Sequence, residues 1–265
     1  MISGKSSKEM EKMRAAGRLT ALVFQEMRQM AQPGVTTLEI DRHAERLIRE
    51  AGAIPTFKGY RGFPFSICAS VNEQVVHGFP SKYVLKEGDI FSIDCAVTLN
   101  GYVGDSATTV PIGRVTEERL RLISVAEECL DLAIDQCRSG KHVGDIGWAV
   151  QQHAESNGYS VVREYVGHGI GRYMHEEPQI PNYGKPGTRE KIKAGYVFAV
   201  EPMLNMGTRE TRTLEDGWTV VTKDGQPSVH VEHTVAITEN GPEVLTRVAV
   251  DDRPLEVSSQ FVALG

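Results

Sequence analysis

Apolar residues recur at helical spacing near the start of the chain. Met10, Met13, Gly17, Phe24, Met27 and Ala31 fall on one face. Ser6 and Ser7 are capping residues ahead of this run and Pro33-Gly34 stops it, so the pattern predicts a first helix reaching about Ala31. Its Met stripe reads as core packing rather than as a ligand groove. Thr36-x-x-Glu39 is a capping box for a second helix that ends at Ala51-Gly52. Periodicity is then lost in the Gly- and aromatic-rich loop 57–65, which leads into a strand around 66–71. His77 follows in a turn-like setting before Gly78, and 90–96 reads as a further strand. Asn100-Gly101 predicts a two-residue hairpin, in which the numbers of paired residues sum to 201.

The rhythm of helix, helix and strand then returns. Thr116 opens a helix with Leu120, Ile123, Ala126, Leu130, Ala133 and Ile134 on one face, closed by Gly140. Another runs from about Asp145 to Ser156, with Gly158 at its end, and 229–237 has high β-propensity. At an offset of 106, Gly34, Glu39, Ile40 and Gly52 fall on Gly140, Asp145, Ile146 and Gly158. At an offset of 107, residues 88–94 (GDIFSID) fall on 195–201 (GYVFAVE). Glycine, aliphatic, Phe, aliphatic and acid coincide, the signature of an internal duplication.

Composition narrows the function classes. The chain has 265 residues, 40% of them hydrophobic and 24% charged, as in an ordinary globular protein. A net charge of −6 argues against sequence-independent nucleic-acid binding, and no nucleic-acid motif is present. No apolar run reaches the length of a membrane span, and the polar N-terminus, Met1 to Met13, lacks a signal-peptide core. Cys68, Cys95, Cys129 and Cys137 show no CxxC spacing, so neither a thiolate zinc site nor a disulfide framework is expected. A reducing cytoplasm is the expected compartment.

The duplication puts acids at matching points. In the hairpin register Asp94 faces Ala107, and Asp105 lies two residues along on the same face. Two carboxylates on an apolar hairpin repel and are costly to bury unpaired, and a cation relieves both problems. By itself this pair is equally readable as a turn-flanking Asp and a solvent-facing one. Glu201 is the counterpart of Asp94 in the second half, and Glu232 stands among valines in a predicted strand, where an acid either faces solvent or binds something. Between them lies Gly167-His168-Gly169, whose glycines are expected to let the backbone approach a metal centre closely. Asp94, Asp105, His168, Glu201 and Glu232 form an oxygen-rich set suited to Mn, Fe, Co or Zn as divalent ions in a two-metal arrangement. Two ions about 3.5–4 Å apart would share a water and supply hydroxide at neutral pH.

At this point the sequence resembles the short bacterial type I methionine aminopeptidases. The run Tyr165-x-Gly167-His168-Gly169-Ile170-Gly171-x-x-x-His175-x-x-x-x-Ile180-x-Asn182-Tyr183 fills every position of that family's signature, and the likeness extends from Met10 to about Arg247. It implies one catalytic domain over 1–265 with the α/β (α+β) pita-bread fold, two helix-helix-strand units around a pseudo-two-fold dimetal site. It implies removal of the initiator methionine from nascent polypeptides when the second residue is small, by a hydroxide bridging two metals. By this resemblance Asp94, Asp105, His168, Glu201 and Glu232 are the ligands, with Asp105 and Glu232 bridging. Glu201 is the proton-transfer residue, and His77 and His175 contact substrate, His175 near the scissile carbonyl. Tyr60, Phe63, Cys68, Met174 and Trp218 line the methionine pocket, with Phe57 at its edge; plain core packing is the competing reading for Phe57, Phe63 and Met174. A monomer is expected, with the ribosome as a candidate partner.

Two rivals share these features. Proline-specific aminopeptidases and dipeptidases of the same fold carry the same five ligands, but normally follow a sizeable N-terminal domain, whereas here the catalytic pattern begins almost at Met1. Non-catalytic binding proteins of this fold typically lose ligands, and this chain keeps all five.

Overall fold

Asn100 and Gly101 both take left-handed backbone (φ 51° and 77°), as a hairpin turn of this length requires. The computed structural model describes residues 2–247, so the expected domain limits at 1 and 265 lie outside the described residues. The hairpin joins two ten-residue strands, and every pair from Ile90↔Pro111 to Leu99↔Tyr102 sums to 201. These strands belong to a nine-stranded sheet. Counted in chain order its strands are β1 (Ile54–Pro55), β2 (Cys68–Val71), β3 (Ile90–Leu99), β4 (Tyr102–Pro111), β5 (Gly167–Gly169), β6 (Glu176–Ile180), β7 (Val197–Val200), β8 (Glu232–Thr238) and β9 (Gly241–Val244). The spatial order is β1-β3-β4-β8-β7-β5-β6, with β2 also on β3 and β9 also on β8. All the pairings within it are antiparallel.

Four helices accompany the sheet: α1 (Ser7–Met30), α2 (Thr37–Glu50), α3 (Glu117–Gln136) and α4 (Val143–Ser156). Capping boxes at Ser6/Glu9 and Thr36/Glu39 start α1 and α2. The strands sort by alternation. Ile93, Cys95 and Val97 of β3 pack into the same core as α1 and α2. Val235 and Ile237 of β8 pack with α3 and α4 in a second core. The intervening residues, Asp94 and Ala96 on β3 and Glu232 and Thr234 on β8, point to the opposite face. Each core holds fully buried Ile, Leu and Phe side chains, each worth about 1.5–3 kcal/mol of transfer free energy. Helices thus brace one face of the sheet and leave the other for chemistry.

The two halves meet where β4 runs beside β8, with Ala107 opposite Glu232 and Ser106 opposite His233. The architecture is the pita-bread fold, a mixed α/β arrangement around a curled antiparallel sheet, with matching units α1-α2-β3-β4 and α3-α4-β7-β8. Three local expectations change. Leu120 is 47% exposed because α3 meets the core only from Leu122 onward, so its first turn overhangs. The start of α4 lies at Val143, and the Asp145 carboxylate accepts from the His142 N–H at 2.7 Å. The predicted 229–237 strand is two strands, Ser228–His230 and Glu232–Thr238, parted at Val231 as the chain passes from a small three-stranded sheet to the large one.

Candidate active site

One cavity of about 200 Å³ collects every residue singled out in the sequence: Asp94, Asp105, His168, Glu201 and Glu232, the histidines His77 and His175, and Phe57, Tyr60, Phe63, Cys68, Met174 and Trp218. Asp94 on β3 stands between Cys68 of β2 and Ala107 of β4. Asp105 sits on β4, where its N–H donates to Thr234 Oγ1 (3.0 Å) and Thr234 Oγ1 donates back to its carbonyl (2.7 Å). That exchange locks the seam between the halves beside Glu232. Potential ligand atoms of Asp105, His168 and Glu232 all lie within 4.8 Å of one another, and all three residues are buried. Asp94 and Glu201 flank this trio in the same cavity.

His168 is oriented from behind. Its Nδ1 lies 2.9 Å from the Gly169 carbonyl, which can only accept, so Nδ1 carries the proton and Nε2 is left with its lone pair toward the acids. That Nε2 is 3.6 Å from Glu201 Oε1. The flanking glycines have a packing role as well. They admit neighbouring strands: a Cβ at 167 would collide with the Ala199 carbonyl and one at 169 with the Glu177 carbonyl. The β5 strand is wedged between β7 and β6, and only glycine fits on both sides of the histidine.

The apolar side of the cavity is an aromatic box. Phe63 makes edge contacts with Trp218 (5.1 Å), Phe79 (5.4 Å), Phe65 (6.2 Å) and Phe57 (6.3 Å). Such tightly neighboured rings hold their positions, and each pair adds about 0.5–1.5 kcal/mol beyond area burial. Asp41 ties this box to α2 by accepting from the Ser66 and Ile67 N–H groups (2.8 and 3.1 Å). His77 takes left-handed backbone (φ 59°) and sets its ring edge-on to Tyr165 and Trp218. His175 packs against His168 with tilted rings (centroids 4.3 Å apart) and its Nδ1 lies 2.8 Å from the Tyr60 hydroxyl.

Electrostatics single out the acids. Burial, reinforced by Asp105 and Glu201, pushes Asp94 well above the usual carboxylate range. Burial and then Glu201 raise Asp105 to about 8, and burial raises Glu201 to about 8. Glu232 is also pushed well up, by burial and then by the neighbouring acids. Burial holds His168 down at about 3 and His77 at about 4. Asp94 Oδ1, Asp105 Oδ1 and Glu232 Oε1 are buried without a hydrogen-bond partner, an expensive condition for these three clustered acids. A divalent cation supplies the missing partner to each oxygen, and a carboxylate set with one neutral imidazole is the donor chemistry such an ion takes. The residues fit a metal.

Two cavity neighbours were not singled out in the sequence. Arg61 lines the mouth, with its guanidinium 5.4 Å from the Tyr60 ring centre. His230 is buried, with Nε2 3.4 Å from Glu201 Oε2. The spacing His230-x-Glu232 carried the available signal, since alternate residues of an extended segment share a face.

Comparison with known proteins gives these features a context. Residues 11–239 match the pattern of metallopeptidase family M24. Methionine aminopeptidase 1 of Bacillus subtilis is 50% identical over 248 residues, which cover 94% of this chain and all of that one. The crystal structure of a methionine aminopeptidase from Thermotoga maritima superposes with a TM-score of 0.92 at 44% identity, covering 93% of this chain and 100% of that one. Prolidase from Pyrococcus furiosus shares the fold at a TM-score of 0.74, with 21% identity and 66% of its length covered. With half its residues identical to one such relative across nearly its full length, this chain belongs to metallopeptidase family M24, among the methionine aminopeptidases.

Proposed function

We propose that this protein removes the N-terminal methionine from nascent proteins and peptides whose second residue is small, using the acid cluster as a two-metal centre. One observation carries the reading: acids whose buried oxygens lack partners line the same cavity as a mostly aromatic and apolar slot. Asp94, Asp105, His168, Glu201 and Glu232 would hold the ions. Bound there, divalent ions such as Co, Mn, Fe or Zn supply Lewis acidity and a nucleophilic water at neutral pH.

The chain's own groups do the rest. Tyr60, Phe63, Cys68, Met174 and Trp218 offer an apolar, soft surface to an unbranched thioether and no partner for a charge. A cavity of about 200 Å³ that must also take the methionine side chain suits a small second residue. His175 Nδ1 lies 2.8 Å from the Tyr60 hydroxyl; in the tautomer where that hydroxyl donates, Nε2–H is the donor offered to the scissile carbonyl oxygen. His77 steadies the substrate from the other side. Glu201, which lines the same cavity, is the group placed to pass a proton to the leaving amine. A cytoplasmic monomer working on chains that emerge from the ribosome fits this reading, and no helix among the described residues is long and apolar enough to cross a membrane.

The test is a peptide series Xaa-Ala-Ser compared by kcat/KM. Methionine should lead, norleucine should be weaker because it lacks the polarisable sulfur, and β-branched Val or Ile should be poor. Preferential cleavage of Xaa-Pro peptides with varied first residues would assign the chain to the proline-specific group and overturn the reading.

A further inference from the structure

The catalytic cavity is too small for more than the beginning of a peptide, so the remainder of the substrate must leave it over a surface. A second cleft of about 380 Å³ shares His175 with the catalytic cavity and continues outward over Tyr173 and Glu177. Most charges in this cleft are already engaged. Lys5 Nζ is 2.7 Å from Glu176 Oε2, both side chains being largely buried. Arg172 pairs with Glu9 at 3.4 Å and lies over the Tyr102 ring. Two groups remain uncommitted. The Tyr173 ring is 74% exposed, its backbone held by the Glu176 carboxylate and by Gly171. The exposed Glu177 carboxylate has no ion pair or side-chain hydrogen bond among the described residues.

We propose that this cleft is an extended substrate subsite, in which Tyr173 and Glu177 receive the side chain of the third residue and favour a basic one over an acidic one. The inference rests on the aminopeptidase reading and deepens it. The occupant follows from continuity: the cleft begins at the histidine that faces the scissile carbonyl, and a peptide leaving past His175 runs onto it. The preference follows from chemistry. A guanidinium or ammonium group can lie over an exposed phenol ring and meet the unpaired Glu177 carboxylate, which repels an acidic side chain, while the two cations of the cleft, Lys5 and Arg172, are already paired with Glu176 and Glu9. Glu177 is not caught in a structural pair, so its charge is available to substrate.

Tetrapeptides Met-Ala-Xaa-Ser, with Xaa as Arg, Ser or Glu, test this with the metal-loaded full chain at low ionic strength. The ratio of kcat/KM for Arg over Glu should be roughly 3–10, the size expected of one exposed charge contact aided by the ring. In Glu177→Gln the ratio should fall most of the way to 1, and in Tyr173→Ala part of the way. Glu117→Gln removes the same charge from the first turn of α3, outside the cleft, and should keep the full ratio. Equal cleavage of the three peptides by the wild type, or a ratio unmoved in both cleft variants, would overturn this inference alone. Failure to cleave any Met-Ala peptide would overturn the functional reading and this inference with it.

Discussion

His175 is the residue whose role is most exposed to test. It lies in the cavity, outside the tight Asp105, His168 and Glu232 trio, and its Nδ1 is engaged by Tyr60. If Nε2–H stabilises the developing oxyanion, His175→Ala should lower kcat by roughly 10²-fold or more while metal content stays near normal. A variant that loses its metal instead would make His175 a ligand. The same comparison applied to Tyr60→Phe should give a smaller loss in kcat, since the imidazole remains but its orienting hydrogen bond is gone. At this scale the acids and His168 were legible because four acids and a glycine-flanked histidine are out of place in apolar strands. His230 and Arg61 were not. A histidine among valines has a structural reading as good as any other, and an arginine in a glycine-rich loop carries no period to place it. For the glycines around His168 the sequence showed that small residues are required, but not that the Ala199 and Glu177 carbonyls require them.

Among the elements, the hairpin was legible to the residue. Asn100-Gly101 admits few turns, and a two-residue turn fixes the register of everything it connects. The helices were legible from caps and periodicity, and their ends were off by a few residues at α4 because His142 is a weak signal for a cap. The break at Val231 was hidden, since a stretch of high β-propensity without Gly or Pro gives no hint that it serves two sheets in succession. The narrow wedge of β5 makes a firm prediction. Gly167→Ala places a methyl against the Ala199 carbonyl, which is backbone and cannot rotate away. The substitution should cost about 1–3 kcal/mol of stability, read by denaturant unfolding, and should weaken metal binding by displacing His168. An alanine variant with unchanged midpoint and metal affinity would refute the wedge.

On the scale of the whole molecule, the site lies at the seam between two units that the sequence repeat announced. Matching the acids at an offset of 107 located the seam, but the pairing of β4 with β8 needed the fold. The gathered acids also set how stability responds to pH. Without metal, Asp105 and Glu201 titrate near 8 in the folded state against 3.8 and 4.5 ordinarily, so the folded state holds more protons between those limits and stability falls as pH rises through that window. His168 and His230, held at about 3, act oppositely, but only below their ordinary 6.5. Between pH 6.5 and 8 the acid contribution therefore stands alone. The melting temperature of the metal-free protein should fall across that interval, and divalent metal should raise it most at the upper end. A flat profile without metal, or no stabilisation on adding it, would contradict this account of the cluster.

The central claim is that these acids and His168 hold divalent metal and that cleavage depends on it. The most direct measurement is cleavage of Met-Ala-Ser by chelator-treated protein whose metal content is followed by elemental analysis, as Mn²⁺, Fe²⁺ or Co²⁺ is added back. Activity should be lost with the metal and return in proportion to the metal bound. Full activity in a preparation shown to be metal-free would contradict the account.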